Sequence, residues 1–89
     1  MSFKITQGKG FHLTFSNGWT ASVQFGYGSY CDNRYEQGKT ESLTAEVACW
    51  PKDGNIVNIM ENDPSNDVIG YLSADKVLEF LNKVATQES

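Results

Sequence analysis

The chain reads as an α+β domain: an antiparallel sheet of four to five strands, built from two hairpins, with one C-terminal helix packed on one face. Three observations predict it. First, Phe11, Leu13 and Phe15 alternate with His12 and Thr14, and beyond Asn17-Gly18 the residues Trp19, Ala21, Val23 and Phe25 alternate with Thr20, Ser22 and Gln24. That is the period-two pattern of two half-buried strands. Second, two further apolar runs, residues 42–50 and 56–60, flank the turn residues Lys52-Asp53-Gly54. Third, Ser73 precedes Ala74, Val77, Leu78, Leu81, Val84 and Ala85, an apolar stripe at helical spacing with Phe80 at its edge.

Residues 3–6 alternate and extend the sheet edge. Gln7-Gly8-Lys9-Gly10 breaks the pattern, as a bend or as a bulge within one long first strand. The turn of the next hairpin is set by parity. A two-residue Asn17-Gly18 loop sets Phe15 against Thr20 and Leu13 against Ser22. A three-residue loop, Ser16-Asn17-Gly18, sets Phe15 against Trp19, Leu13 against Ala21 and Phe11 against Val23. A slip of one residue turns a whole strand over, so the second register is expected, with Gly18 in the left-handed conformation. The same reasoning places Leu43, Ala45, Val47 and Cys49 on one face of residues 42–50. It pairs Cys49 with Val57, Val47 with Ile59, and Trp50 with Ile56 on the far face. Residues 61–67 read as a solvated polar loop and 68–72 as a fifth strand. Ser73 caps the helix, Asp75 and Lys83 suit its dipole, and residues 86–89 are expected to fray.

At 89 residues with 39% apolar content, the chain fits a single domain, 1–89. Its net charge of −4 argues against non-specific binding to nucleic acid, which needs a basic face. No apolar run approaches the roughly 20 residues of a membrane span. The opening MSFKITQGKG lacks the apolar segment of a signal peptide. The expected location is therefore cytoplasmic, with both cysteines reduced. Cys49 reads as a core residue and Cys31, in a polar loop, as a partly exposed thiol. Two cysteines and one histidine without ligand spacing argue against a metal site, and no motif asks for a cofactor.

Residues 26–41, GYGSYCDNRYEQGKTE, form a connection long enough in so small a domain to suggest a role of its own. Arg34, the only arginine, stands between Asn33 and Tyr35, with Tyr27 and Tyr30 close by. A guanidinium forks onto carboxylate or phosphate, and tyrosines supply flat contact area. The expected ligand- or partner-binding set is Tyr27, Tyr30, Asn33, Arg34 and Tyr35, with His12 on the outward face of its strand. The plainer reading of Arg34 is a brace to Asp32 or Glu36. No catalytic residue is assigned, because no nucleophile elbow stands here.

The run from Lys9 to Arg34 resembles one found in small accessory proteins of bacteriophages and prophages. The resemblance is carried by Gly10-Phe11, Asn17-Gly18, Ser22-Val23-Gln24-Phe25-Gly26 and the Tyr/Cys/Asn cluster that follows. It implies a context, the cytoplasm of a bacterial host, and a class: stoichiometric antagonists of host defence or regulation. The expected function is then a non-enzymatic binding protein, acting as a homo-oligomer. It would sequester a small anionic, nucleotide-type ligand or block a host protein through residues 26–41. The competing functions are a small enzyme using Cys31 or His12, and a structural subunit of a larger assembly.

Overall fold

The computed structural model describes residues 1–7, 9–60 and 68–88. In them β1 (Ser2–Thr6), β2 (Gly10–Thr14), β3 (Thr20–Gln24), β4 (Ala45–Trp50) and β5 (Ile69–Leu72) form one antiparallel sheet in chain order. The helix α1 (Ala74–Ala85) packs on one face, against β3, β4 and β5. The expected α+β class is the class observed.

The β2–β3 register is the one that parity requires. Phe11 pairs with Val23 and Leu13 with Ala21. Phe15 N–H donates to the Trp19 carbonyl at 2.8 Å, and Gly18 N–H donates to the Phe15 carbonyl at 2.9 Å. Gly18 has φ 89°, the left-handed value that closes such a loop without a Cβ penalty. The register carries onward, Ala21 to Cys49 and Val23 to Val47. These four side chains, with Ala45 of β4 and Leu72 of β5, form the sheet's share of the core.

The helix supplies the other share. Ser73 is its N-cap, accepting from Lys76 N–H. Phe80 and Val84 are buried, and Val77 and Leu81 pack beside them. That i, i+3, i+4, i+7 set centres the stripe on Phe80 rather than leaving it at the edge, and Leu78 turns outward to 60% exposure. Burying each large apolar side chain contributes roughly 1.5–3 kcal/mol. The helix end is tied to the β2–β3 turn. Asn17 Nδ2 donates to the carbonyls of Val84 and Gln87, each at 2.9 Å, while its Oδ1 accepts from Trp19 N–H. Trp19 Nε1 donates to the Glu88 carbonyl at 3.1 Å. Residues 86–88 therefore do not fray; the turn holds them.

Three other expectations are corrected. β1 and β2 are separate paired strands, so the break is not a bulge within one long strand: Lys9 N–H donates to the Thr6 carbonyl and Ser2 pairs with Thr14. The strand expected over 42–50 begins at Ala45, and Leu43 is 84% exposed instead of facing the core. Residues 56–60 form no strand. Val57 N–H does reach the Cys49 carbonyl at 2.9 Å, opposite the expected residue, but β5 takes the place beside Val47 that Ile59 was expected to fill. Ile56 accordingly does not face Trp50 across a ladder. The polar run at 61–67 lies outside the described residues.

Asn17→Ala is expected to lower stability by about 1–3 kcal/mol, because it strands groups at both the turn and the helix end. Gly18→Val is expected to cost more than about 1 kcal/mol, since a β-branched residue resists positive φ. A Cβ there also meets Lys52 Cβ at 3.3 Å. Urea unfolding measures both, and two neutral results would contradict this description of the turn.

Candidate functional site

The side chains that alternate with the core residues cover the face of the sheet opposite α1. Pairing sets them in rows: Lys4, His12, Ser22 and Ala48 in one, Thr14, Thr20 and Trp50 beside it, Gln24 and Glu46 on the other side. Ser22 and Ala48 are small and buried. His12 stands edge-on to Trp50, ring centroids 5.2 Å apart. Thr6, Gln24 and Ser22 are linked by side-chain hydrogen bonds of 2.7–3.1 Å. Lys4, Thr6, His12, Ser22 and Gln24 line a polar cleft of about 530 Å³. Burial, and secondarily the charge of Lys4, hold the His12 imidazole below its ordinary pKa.

Residues 26–35 fold onto the far side of this face through their own backbone. Gly28 N–H donates to the Arg34 carbonyl at 2.9 Å, Ser29 N–H to Gly26, and Arg34 N–H to Cys31. Gly28, with φ 90°, makes the bend. Cys31 is 1% exposed, and its thiol donates to Asn33 Oδ1 at 2.8 Å. Asn33, also buried, donates from Nδ2 to the Glu41 carbonyl at 3.0 Å. Cys31 is thus an interior residue rather than a partly exposed thiol, and Asn33, of the expected binding set, is buried beside it. Both placements share a reason: a tightly turned segment leaves its own polar groups to be satisfied from within.

Glu46 and Tyr71 of the sheet, and Thr44 just before β4, fasten this segment. Glu46, outward on β4, accepts from Tyr30 N–H at 2.8 Å. Thr44 Oγ1 accepts from Asp32 N–H and donates to Asp32 Oδ1, both at 3.0 Å. Tyr71 N–H, on β5, donates to the Tyr30 carbonyl at 2.9 Å. The contact is so close that a Cβ at Gly70 would stand 2.6 Å from Tyr30 Cβ. Glu46 and Thr44 were not singled out from the sequence as anchors. The one signal available was Glu46's outward position, which solvation alone also explains.

The result is a fixed guanidinium. Arg34 lies over the Tyr30 ring at 4.1 Å and over the Tyr35 ring at 5.6 Å. Its Nη1 is enclosed and has no hydrogen-bond partner. Burial works against its charge, but Tyr35 and Tyr30 outweigh it and hold the group more firmly protonated. Asp32 is engaged with Thr44, so the brace expected from Asp32 to Arg34 is replaced by aromatic stacking. Tyr27 and Tyr30 are about half exposed and Tyr35 is 84% exposed. Tyr30, Arg34 and Tyr35 are brought together, and Tyr27 adjoins them in the same turn. His12, on β2, belongs to the separate polar cleft. Two further clefts exist, one polar along residues 38–43 and one apolar of about 430 Å³ between Phe11, Phe25, Leu43, Leu72 and Val77. The residues lining all three are other than Tyr27, Tyr30, Arg34 and Tyr35.

Burial pushes the Cys49 thiol up to about 11, and its proton is donated to the Val57 carbonyl at 3.2 Å. Among the described residues no group of three or more His, Cys, Asp or Glu is placed to hold a metal ion. No helix among them is long and apolar enough to cross a membrane. Comparison of the chain with protein-family models, with curated proteins and with solved structures finds no match.

The His12 shift has a sign that can be measured. Its folded pKa lies below the ordinary 6.5, so the unfolded chain takes up the proton first as pH falls. Stability is therefore expected to decline as pH drops through 6.5 and on through the folded value. An NMR titration of wild type should show the lowered pKa, and Lys4→Gln should move it part of the way back. A titration at or above 6.5 in wild type contradicts the assignment.

Proposed function

We propose that this protein is a non-enzymatic, stoichiometric binding protein that docks on a host protein through Arg34 and the tyrosines around it. The observation that carries the reading is the Arg34 guanidinium, stacked over Tyr30 with an unpartnered Nη1. An arginine whose plane rests on a ring has lost little freedom still to lose, so a carboxylate or phosphate that meets it gains geometry already set. Arg and Tyr are also the residues that dominate binding hot spots. A small ligand is best held in a concave pocket that buries most of its surface. The half-exposed Tyr27 and Tyr30 and the 84% exposed Tyr35 offer flat contact area around Arg34, which favours a protein surface as the partner.

The resemblance of residues 9–34 to phage accessory proteins supports the context: a phage-encoded antagonist of a host defence or regulatory system, acting in the host cytoplasm. The placement of the thiols supports the absence of catalysis. Cys31 hydrogen-bonds inside its own turn and Cys49 inside the core, so neither is set beside a base. A second reading, capture of a small anion, draws support from the same half-buried cation.

Pull-down of host proteins on immobilised wild type, Arg34→Ala, Arg34→Lys and Tyr35→Ala tests the reading. One captured protein should be lost, or weakened at least about tenfold, with both Arg34 variants. Melting temperature should change little, because the guanidinium's interactions are with Tyr30 and Tyr35 of its own segment and not with the core. Equal capture by all four proteins would sink the proposal. A thermal shift of wild type with nucleotides or phosphate, absent in Arg34→Ala, would turn it to the second reading.

A further inference from the structure

We infer that β1 is a self-pairing edge, which joins two copies of the chain into one continuous ten-stranded antiparallel sheet. The two edges of the sheet differ. At β5 the outward N–H of Tyr71 is bonded by Tyr30, so the 26–35 segment covers that side. Among the described residues β1 has a strand on one side only, β2.

Which groups face the open side follows from the hydrogen bonds of β2. Phe15 N–H bonds the Trp19 carbonyl and Phe25 N–H bonds the Lys9 carbonyl, so odd-numbered residues here bond toward β3. The even-numbered residues Gly10, His12 and Thr14 turn toward β1, where they meet Thr6, Lys4 and Ser2. Phe3 and Ile5 therefore aim both backbone N–H and C=O at the open edge. Their side chains are apolar and each is 81% exposed, with Met1 at 86% beside them. A row of free backbone groups flanked by exposed apolar side chains is a template for another strand.

The same row makes a second copy the fitting partner. About a two-fold axis at Phe3, Phe3 faces Phe3 and Ile5 faces Met1 of the second copy, so the apolar row meets itself. Lys4 then faces Ser2. The register centred on Lys4 would instead oppose two lysines, which is unfavourable. β1, Ser2–Thr6, holds no acidic residue, so the strand carries no acid into the contact. Three apolar side chains from each copy make a contact at the small end of the size range, below about 1,200 Å², that of a weak, concentration-dependent association.

Sedimentation of wild type over a concentration series should show the mass rising from 9.9 kDa toward twice that value. Phe3→Lys and Ile5→Pro should both remain monomeric with unchanged circular dichroism. Proline is tolerated at position 5 because its N–H serves no bond within the fold. Phe3→Cys should cross-link to itself on oxidation, since the paired Cα atoms stand about 5.5 Å apart, within disulfide reach. Ile5→Cys should not, being roughly 13 Å from its own counterpart. A wild type that stays monomeric, a dimer indifferent to Phe3→Lys and Ile5→Pro, or cross-linking through position 5 instead of 3 would each overturn the inference.

Discussion

The parity of the β2–β3 ribbon is the constraint from which the rest of the structure descends. A three-residue loop closed by Gly18 puts Phe11, Leu13, Ala21 and Val23 on one side. Pairing then hands that choice to β4, so that Val47 and Cys49 face inward while Glu46 and Trp50 face out. Nothing in α1 could correct a slip, because its buried residues are shaped to one face only. Asn17 makes the choice cooperative: one side chain closes the turn and also satisfies two carbonyls at the end of α1. Local geometry at residues 16–18 is thereby coupled to packing nearly 70 positions away.

The same parity seats the candidate site. Glu46 reaches Tyr30 N–H only because it points away from the helix. A connection of sixteen residues carries a closing cost that a small core offsets with difficulty. Here the cost is met by a miniature interior, Cys31 and Asn33, and by three ties to β4, β5 and Thr44. Tyr30 serves twice: its backbone bonds β4 and β5, and its ring supports Arg34. The half-buried guanidinium is thus mounted on the sheet instead of on a free loop, which is what preorganised recognition requires.

Features set by short-range chemistry were legible in the sequence. The Asn17-Gly18 turn, the alternation of its strands and the Ser73 cap all depend on neighbours within a few positions. The run at 56–60 shows where that ends. It and residues 69–72 are both short, apolar and β-prone, and periodicity cannot say which of them lies beside Val47. Long-range competition gives that place to β5 and leaves Val57 a single backbone bond. The burial of Cys31 and Asn33 was not legible for a related reason. Flanked by charged and polar residues, they look solvent-facing, and only the closure of the whole 26–41 segment creates the interior that takes them in. Arg34 was visible as a lone cation among tyrosines. That it stacks, while Asp32 turns to Thr44, was not.

Amide hydrogen exchange by NMR, residue by residue at low protein concentration, bears most directly on the claim that sheet parity fixes the recognition segment in place. Gly28, Arg34 and Tyr71 should exchange far more slowly than free peptide and in step with Phe15 and Phe25, whose amides close the ribbon. Free-peptide exchange across residues 28–34 beside a protected ribbon would contradict it, for the sheet would then stand without holding the segment.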